Sequence, residues 1–285
     1  MSSINEQFLL ERIIEMINPI SEILKNNFLS LKEDKIFYKE NETEIVTQID
    51  LDINHYTINF LKKFFPNACF ISEENLPYYN YTNNSNNNAH KNNFFDINDE
   101  LNIKEELIFI IDPVDGTSNY AYGLNQFCFS LGVMSYGKMI GGIIIAPLTK
   151  EIFYGMRNCG AFYQFEDKIQ NINEIYSNLT KKNHKYLIGT TYPCINLVYN
   201  KLSKRISVRI IGSIALTICY ALIGKFDGFI SNSSKIWDIA GAIGIASNIK
   251  NFHLFIKFYS EKNKYSLAIH REESQFQILQ NILLS

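Results

Sequence analysis

The run Leu107-Ile108-Phe109-Ile110-Ile111 leads without a break into Asp112-Pro113-Val114-Asp115-Gly116-Thr117. Five apolar residues in a row, with no alternation, predict a strand buried on both faces. Its end carries two aspartates three positions apart, with Pro113 fixing the backbone between them. In a turn, that spacing can aim both carboxylates at one point and leaves the Val114 carbonyl as a further oxygen ligand. Gly116 permits close backbone approach and Thr117 opens a helix, so their amides form an anion site at a helix N-terminus. Taken alone, the hexapeptide also fits an ordinary turn followed by a helix cap.

The elements on either side set the fold. Upstream, Leu9, Ile13, Met16, Ile17, Ile20 and Leu24 recur at helical spacing, which predicts one amphipathic helix over 5–28. A polar turn follows at Glu40–Thr43. Asp50 then opens a second helix as its N-cap, with Ile53, Phe60, Leu61 and Phe64 on one face. Ala68–Ser72 is a short strand ending in Glu73 and Glu74. Eight of the fourteen residues Asn80–Asn93 are asparagine, so 77–105 is a loop insertion with no material for a core. Downstream, Phe127–Met134, Met139–Ala146, Glu151–Met156 and Ala161–Phe165 alternate with glycine-containing turns and predict an antiparallel meander.

The second half mixes types. Strands at Tyr186–Gly189, Val208–Ile211, Asp227–Ser231, Leu254–Phe258 and Ser266–Ile269 are interspersed with helices near Pro193–Ser203, at Ser213–Ile223 and from Asp238. A last helix turns Phe276, Leu279, Ile282 and Leu283 inward. An antiparallel sheet followed by alternating elements makes the chain a layered α/β (α+β) protein. One domain is expected over 1–285, with an N-terminal half at 1–165 and a C-terminal α/β half at 186–285.

Composition narrows the function. With 46% hydrophobic residues the 285-residue chain has ample core, and a formal charge of −2 argues against nucleic acid or an anionic membrane as its partner. No secretory signal is visible in Met1–Leu10, and Ile210–Gly224 reads as a buried helix, too short for a membrane span. The five cysteines are scattered with no CxxC pair, as in a reduced, cytoplasmic protein.

Four acids end a strand-like run or open a helix-like one: Glu73, Asp112, Asp115 and Asp238. Such places gather ligands in α/β proteins, and all-oxygen donors suit Mg²⁺. Singly, Glu73 is a solvated strand end and Asp238 a helix cap; jointly they supply metal ligands beside a phosphate cradle, the parts for transferring a phosphoryl group to water. A haloacid-dehalogenase motif needs two aspartates with one residue between them. Two intervene here, which favours water as nucleophile over a phospho-aspartate.

Four blocks in order, VTQID (Val46–Asp50), ISEE (Ile71–Glu74), IIDPVDGTSNY (Ile110–Tyr120) and WDIAGA (Trp237–Ala242), make the chain resemble the inositol monophosphatase family. The resemblance spans 9–285 without the asparagine-rich insertion. It implies an α-β-α-β-α sandwich of the inositol monophosphatase / fructose-1,6-bisphosphatase type, a homodimer, two to three Mg²⁺ ions and a small phosphorylated substrate. Carried over, it puts Glu73, Asp112 and the Val114 carbonyl on a first metal, Asp112, Asp115 and Asp238 on a second, and Glu73 near a third through water. It pairs Asp50 with Thr117 to orient and deprotonate the attacking water, although Asp50 also fits a plain helix cap and Asp52 lies close by. Gly116, Thr117 and Lys39 would face the phosphate, with Lys39 equally readable as a solvated strand lysine. Gly212, Ser213 and Ala215, in a GSIA turn, would line the substrate.

Three features depart from the family pattern, one of them the long segment between Glu73 and Asp112 that carries the asparagine-rich insertion. Ser231 stands where an acid is expected seven residues before Asp238, which weakens the case for inositol. Lys235 lies nearby and would suit a more anionic substrate, though a solvated loop lysine is the plainer reading. Asn248–His253 replaces a family glycine pair. The expected activity is therefore an inositol-monophosphate phosphomonoesterase. The same chemistry on a nucleotide 3′-phosphate, fructose 1,6-bisphosphate or histidinol phosphate, and a catalytically idle regulatory subunit, are the alternatives.

Overall fold

The computed structural model describes residues 4–29, 36–38, 45–74, 106–178, 186–201, 206–250, 252–259, 264–270 and 273–284. Lys39, the Glu40–Thr43 turn and the asparagine-rich insertion lie outside them. The first departure from the predicted elements comes at once. The single helix over 5–28 is two, α1 (Glu6–Ile14) and α2 (Ile17–Asn27). Pro19 is the cause: it lacks an N–H, and inside a continuous helix its ring would strike the carbonyl of Glu15. The chain breaks at Glu15–Met16 and restarts with Pro19 in the first turn, where proline is tolerated.

A small antiparallel ribbon follows, β1 (Ile36–Tyr38) with β2 (Ile45–Thr47), and then α3 (Gln48–Lys62). The large sheet is built in sequence order from β3 (Cys69–Ser72), β4 (Ile108–Asp115), β5 (Cys128–Ser135), β6 (Lys138–Ala146), β7 (Glu151–Met156), β8 (Gly160–Phe165) and β9 (Lys168–Asn171). The β3–β4 pair is parallel and the rest antiparallel. One short helix, α4 (Thr117–Ala121), leaves the end of β4, and α5 (Ile172–Asn178) follows β9. The sequence reading lacks β9 and α5 because Lys168, Ile169 and Gln170 are all exposed and show no apolar periodicity.

The second sheet has the order β11-β10-β12-β14-β13. It comprises β10 (Tyr186–Thr190), β11 (Ile206–Arg209), β12 (Gly228–Ser234), β13 (His253–Tyr259) and β14 (Lys264–His270). A 3₁₀ turn at Tyr192–Cys194 and the helices α6 (Ile195–Lys201), α7 (Ile214–Leu222), α8 (Ile236–Ala246) and α9 (Glu273–Leu284) complete the chain.

Strand pleating sorts these elements into layers. Phe109 and Ile111 of β4 pack with Leu9, Leu24, Ile53 and Leu61 of the N-terminal helices. Ile108 and Ile110, on the opposite face, join Leu216 of α7, Ile239 and Ile243 of α8, and Phe229, Leu267 and Ile269 of the second sheet. The far face of that sheet, Ile188, Ile230 and Ala268, meets Val198 of α6 and Leu279 and Ile282 of α9. The order is helix, sheet, helix, sheet, helix, as expected, and the apolar run at Ile210–Gly224 supplies the buried α7 of the middle layer.

Backbone contact sets the depth of α8. A Cβ on Gly244 would lie 1.8 Å from the carbonyl oxygen of Gly141, and one on Gly142 would lie 2.2 Å from that of Gly241. Helix and strand therefore touch with no side chain between them. A second tie joins the sheet to α7. The buried carboxylate of Glu151 pairs with Lys225 and accepts hydrogen bonds from Tyr220 (2.8 Å) and Tyr163 (2.9 Å). Burial alone would raise its pKa, but the bonds from Lys225, Tyr220 and Tyr163 outweigh burial and hold it below the ordinary value.

Two outcomes follow from these contacts. Gly244→Ala forces Cβ into backbone and should cost about 3 kcal/mol or more, read as a lower urea midpoint. Glu151→Gln should cost about 2 kcal/mol at pH 7, the half-exposed Lys225 limiting the loss. A depressed carboxylate stabilises above its unfolded pKa and loses that contribution as pH falls through its folded pKa. The gap between wild type and Glu151→Gln should therefore close as the pH is lowered below 4.5.

Candidate active site

In a regular strand, residues three apart face opposite ways, so Asp112 and Asp115 need a device to face one way. The pairing of β4 with β5 supplies it. Asp112 stands opposite Ser130 and Asp115 opposite Cys128, three steps on one strand against two on the other. The extra residue is a β-bulge around Pro113 and Val114, and it turns both carboxylates to the same face. Gly116 then takes φ +98°, a left-handed conformation that a side chain would strain, and α4 begins at Thr117.

Each aspartate accepts at least one backbone amide. Asp112 Oδ1 accepts the amide of Val114 at 3.1 Å. Asp238 Oδ2 accepts the amide of Lys235 at 2.6 Å. Asp115 Oδ2 accepts the Ser213 hydroxyl at 2.5 Å and the Ala215 amide at 2.7 Å, and its Oδ1 takes the Ile214 amide at 3.2 Å. Asp115 thus caps α7 from a distant part of the chain, beside the thiol of Cys128 at 3.8 Å.

Two sequence assignments shift by a turn. The N-cap of α3 is Thr47, and Asp50 is the third helical residue, reaching back to the Thr47 amide (2.8 Å) and hydroxyl (2.6 Å). Likewise α8 starts at Ile236 after an N-cap at Lys235, and Asp238 is its third residue. In both helices the acid satisfies the N-cap amide from inside, one half of a capping box. Asp50 Oδ1 lies 3.3 Å from the Thr117 hydroxyl, which is also 2.9 Å from the Val114 carbonyl. The single Thr117 proton can serve either acceptor.

Burial, with like charge added to it, raises the acids of this cleft. Burial, then the charges of Glu73, Asp115, Asp238 and Asp50, push Asp112 well above the usual carboxylate range. Asp238 is raised well above that range by burial and by Asp115 and Glu73, and Lys235 opposes this in part. Asp115 rises to about 6, mainly through burial, against its hydrogen bonds from Ser213, Ala215 and Ile214. Asp50 rises to about 7, again mainly through burial, opposed by the bond from Thr47. Among the described residues no three His, Cys, Asp or Glu side chains are already at chelating distance. The acids converge on one space and stay apart. Their donors are all oxygen and their charges all negative, which fits a hard divalent cation.

The family model described as "Inositol monophosphatase family" matches residues 6–248. The chain belongs to the inositol monophosphatase family. It is 28% identical over 211 residues to a fructose-1,6-bisphosphatase/inositol-1-monophosphatase of Thermotoga maritima, covering 74% of this chain and 71% of that one. It is 27% identical over 254 residues to inositol monophosphatase 3 of Solanum lycopersicum, covering 87% and 85%. Its fold superposes with a TM-score of 0.73, at 20% identity and over 96% and 94% of the two chains, on an IMPase/NADP phosphatase complexed with Mg²⁺ and phosphate. The chain is accordingly a phosphatase, a phosphoric monoester hydrolase.

The structure brings Asp50, Glu73, Asp112, Asp115, Thr117 and Asp238 of this phosphatase together, with Val114 and Gly116 between them. Lys39 lies outside the described residues. In the GSIA turn, the Ser213 hydroxyl and the Ala215 amide both bond Asp115, and both residues are buried. Ser231 is fully buried, 3.1 Å from the Thr191 hydroxyl and bonded by Ser234 at 2.9 Å. Sequence reasoning missed Thr47 as the anchor of Asp50, although a threonine three residues before an acid at a helix start is its signature. It also missed Cys128, for which no sequence signal existed. No helix among the described residues is long and apolar enough to cross a membrane.

The raised acids fix a pH response. They hold protons in the folded state where the unfolded chain, with Asp near 3.8, has released them. That stability is present below 3.8 and is lost as pH rises through the folded values near 6 and 7. Cation-free protein should therefore melt lower at pH 8 than at pH 5, by about 5 °C or more. Millimolar Mg²⁺ should abolish the slope in scanning calorimetry.

Proposed function

We propose that this phosphatase hydrolyses inositol monophosphate by direct attack of water, with no covalent intermediate. The observation that carries the reading is the bulge that turns Asp112 and Asp115 to one face among acids whose oxygens are individually tethered. Glu73, Asp112 and the Val114 carbonyl would hold one Mg²⁺, Asp112, Asp115 and Asp238 a second, and Glu73 a weaker third. Mg²⁺ bound there supplies charge neutralisation on the phosphate and a more acidic water.

The chain's own groups do the rest. Asp50, raised to about 7, is poised to take a proton near neutral pH. Its route is the Thr117 hydroxyl, which accepts a proton from the attacking water as it gives its own to Asp50 Oδ1. The amides of Gly116 and Thr117, at the start of α4, face the phosphate, and Lys39 is proposed for the same role. Gly212 is proposed to line the substrate. A homodimer and a cytoplasmic location belong to the same reading.

A second substrate, fructose 1,6-bisphosphate, is suggested by the Thermotoga maritima relative, and one observation weakens the case for inositol. In the middle of β12 the hydroxyl of Ser231 stands where inositol recognition calls for an acid, and it is engaged inside the protein.

The test is phosphate release from myo-inositol 1-phosphate with and without Mg²⁺, and with added Li⁺. Mg²⁺-dependent, Li⁺-sensitive turnover supports the reading. Turnover of fructose 1,6-bisphosphate alone transfers it to the second substrate, and no turnover on either overturns both and points to a nucleotide 3′-phosphate or histidinol phosphate. Asp112→Asn should lower turnover by about a thousandfold or more and leave the cation-free fold intact, since it removes a repelled charge. Thr117→Val should cost about a hundredfold or more by interrupting the proton path.

A further inference from the structure

The resemblance places Ser213 and Ala215 against the substrate, and the hydrogen bonds point elsewhere. The Ser213 hydroxyl does two things at once. Its proton goes to Asp115 Oδ2 at 2.5 Å, and its oxygen accepts the Leu216 amide at 3.2 Å as the N-cap of α7. The Ala215 amide reinforces the same carboxylate oxygen at 2.7 Å. The thiol of Cys128 closes a further side, 3.8 Å from Asp115 Oδ2 and 3.5 Å from the Ser213 oxygen. Ser213 is 1% exposed and Cys128 is fully buried, so neither offers a free edge to a ligand. Oδ2 of Asp115 is thus saturated by α7 and its cap, whereas Oδ1 has one long bond, 3.2 Å from the Ile214 amide.

We propose that Ser213 is a positioning residue for Asp115: it fixes Oδ2 so that Oδ1 is presented to the divalent cation, and it makes cation binding and the N-terminus of α7 one mechanical unit. This rests on the metal-dependent phosphatase reading and goes beyond it, because it moves Ser213 from substrate recognition to cation affinity. Partners that orient metal ligands carry effects of about 10- to 100-fold on metal affinity or activity. A hydroxyl that touches substrate would alter KM instead.

The experiment is Mg²⁺ titration of the whole protein by calorimetry, for wild type, Ser213→Ala and Ser213→Thr, with steady-state kinetics beside it. Ser213→Ala should weaken Mg²⁺ binding about tenfold or more and lower kcat, with KM for the phosphate ester within about threefold of wild type. Ser213→Thr keeps the hydroxyl and should restore both. Because Ser213→Ala also removes a helix cap, circular dichroism and the urea midpoint are read on the same samples. Cys128→Ala, which leaves the cap in place, should weaken Mg²⁺ binding in the same direction by a smaller factor. Unchanged Mg²⁺ affinity in folded Ser213→Ala, or a raised KM at constant kcat, overturns the proposal and returns Ser213 to the substrate. Wild-type protein that takes up no Mg²⁺ overturns the metal reading itself and this proposal with it.

Discussion

Carboxylates crowded together and withdrawn from water are the constraint around which this molecule is arranged. Asp50, Asp112, Asp115, Asp238 and Glu73 share one space, and the four aspartates are all pushed upward in pKa, first by burial and then by neighbouring charge or against opposing hydrogen bonds. Left to relax, such groups would swing apart into solvent. Each aspartate is prevented by a hydrogen bond from rigid backbone: Thr47 and Lys235 at helix starts, Val114 within the bulge, Ala215 at the head of α7. The tethers order the carboxylates in advance, as the proposed binding of a hard cation requires.

The layers exist to hold those tethers in register. Helix α7 is tied at both ends by buried acids from the large sheet, to Asp115 at its N-terminus and to Glu151 through Tyr220 near its C-terminus. Helix α8 is set by backbone contact between Gly241 and Gly244 on one side and Gly141 and Gly142 on the other. Asp238 is one turn before Gly241, so the depth at which α8 seats decides where its carboxylate lies. The site therefore depends on the packing of the middle layer as much as on the loop that ends β4.

Much of this was legible in the sequence, and the misses have definite causes. The apolar run before Asp112, the meander and the buried α7 follow directly from pattern. The acids are legible because they stand at element ends. The bulge is not, since the pairing Asp112–Ser130 and Asp115–Cys128 is a property of two strands and one strand cannot show it. Asp50 and Asp238 were each placed one turn early for a related reason: an acid at the third helical position and an acid at the cap carry the same local signal, and only the bonded amide distinguishes them. The Ser213 bonds span almost a hundred residues of chain, beyond any local rule. Pro19, by contrast, was visible and its consequence for the first helix was underweighted.

The same electrostatics bear on whether such a chain could be an idle family member. A cluster of like charges buried without a counter-ion is a standing destabilisation, and neutralising any one of the acids would relieve it at once. A protein with no use for the ion would relieve that repulsion by replacing a carboxylate with its amide, which can still accept a hydrogen bond at the same place. Here Asp50, Glu73, Asp112, Asp115 and Asp238 all remain, the aspartates tethered, with Thr117 between Asp50 and the Val114 carbonyl. Strain retained at a site and supported by the surrounding fold is the pattern of a working centre. It is the physical reason to read the cleft as catalytic and to propose a divalent cation for it.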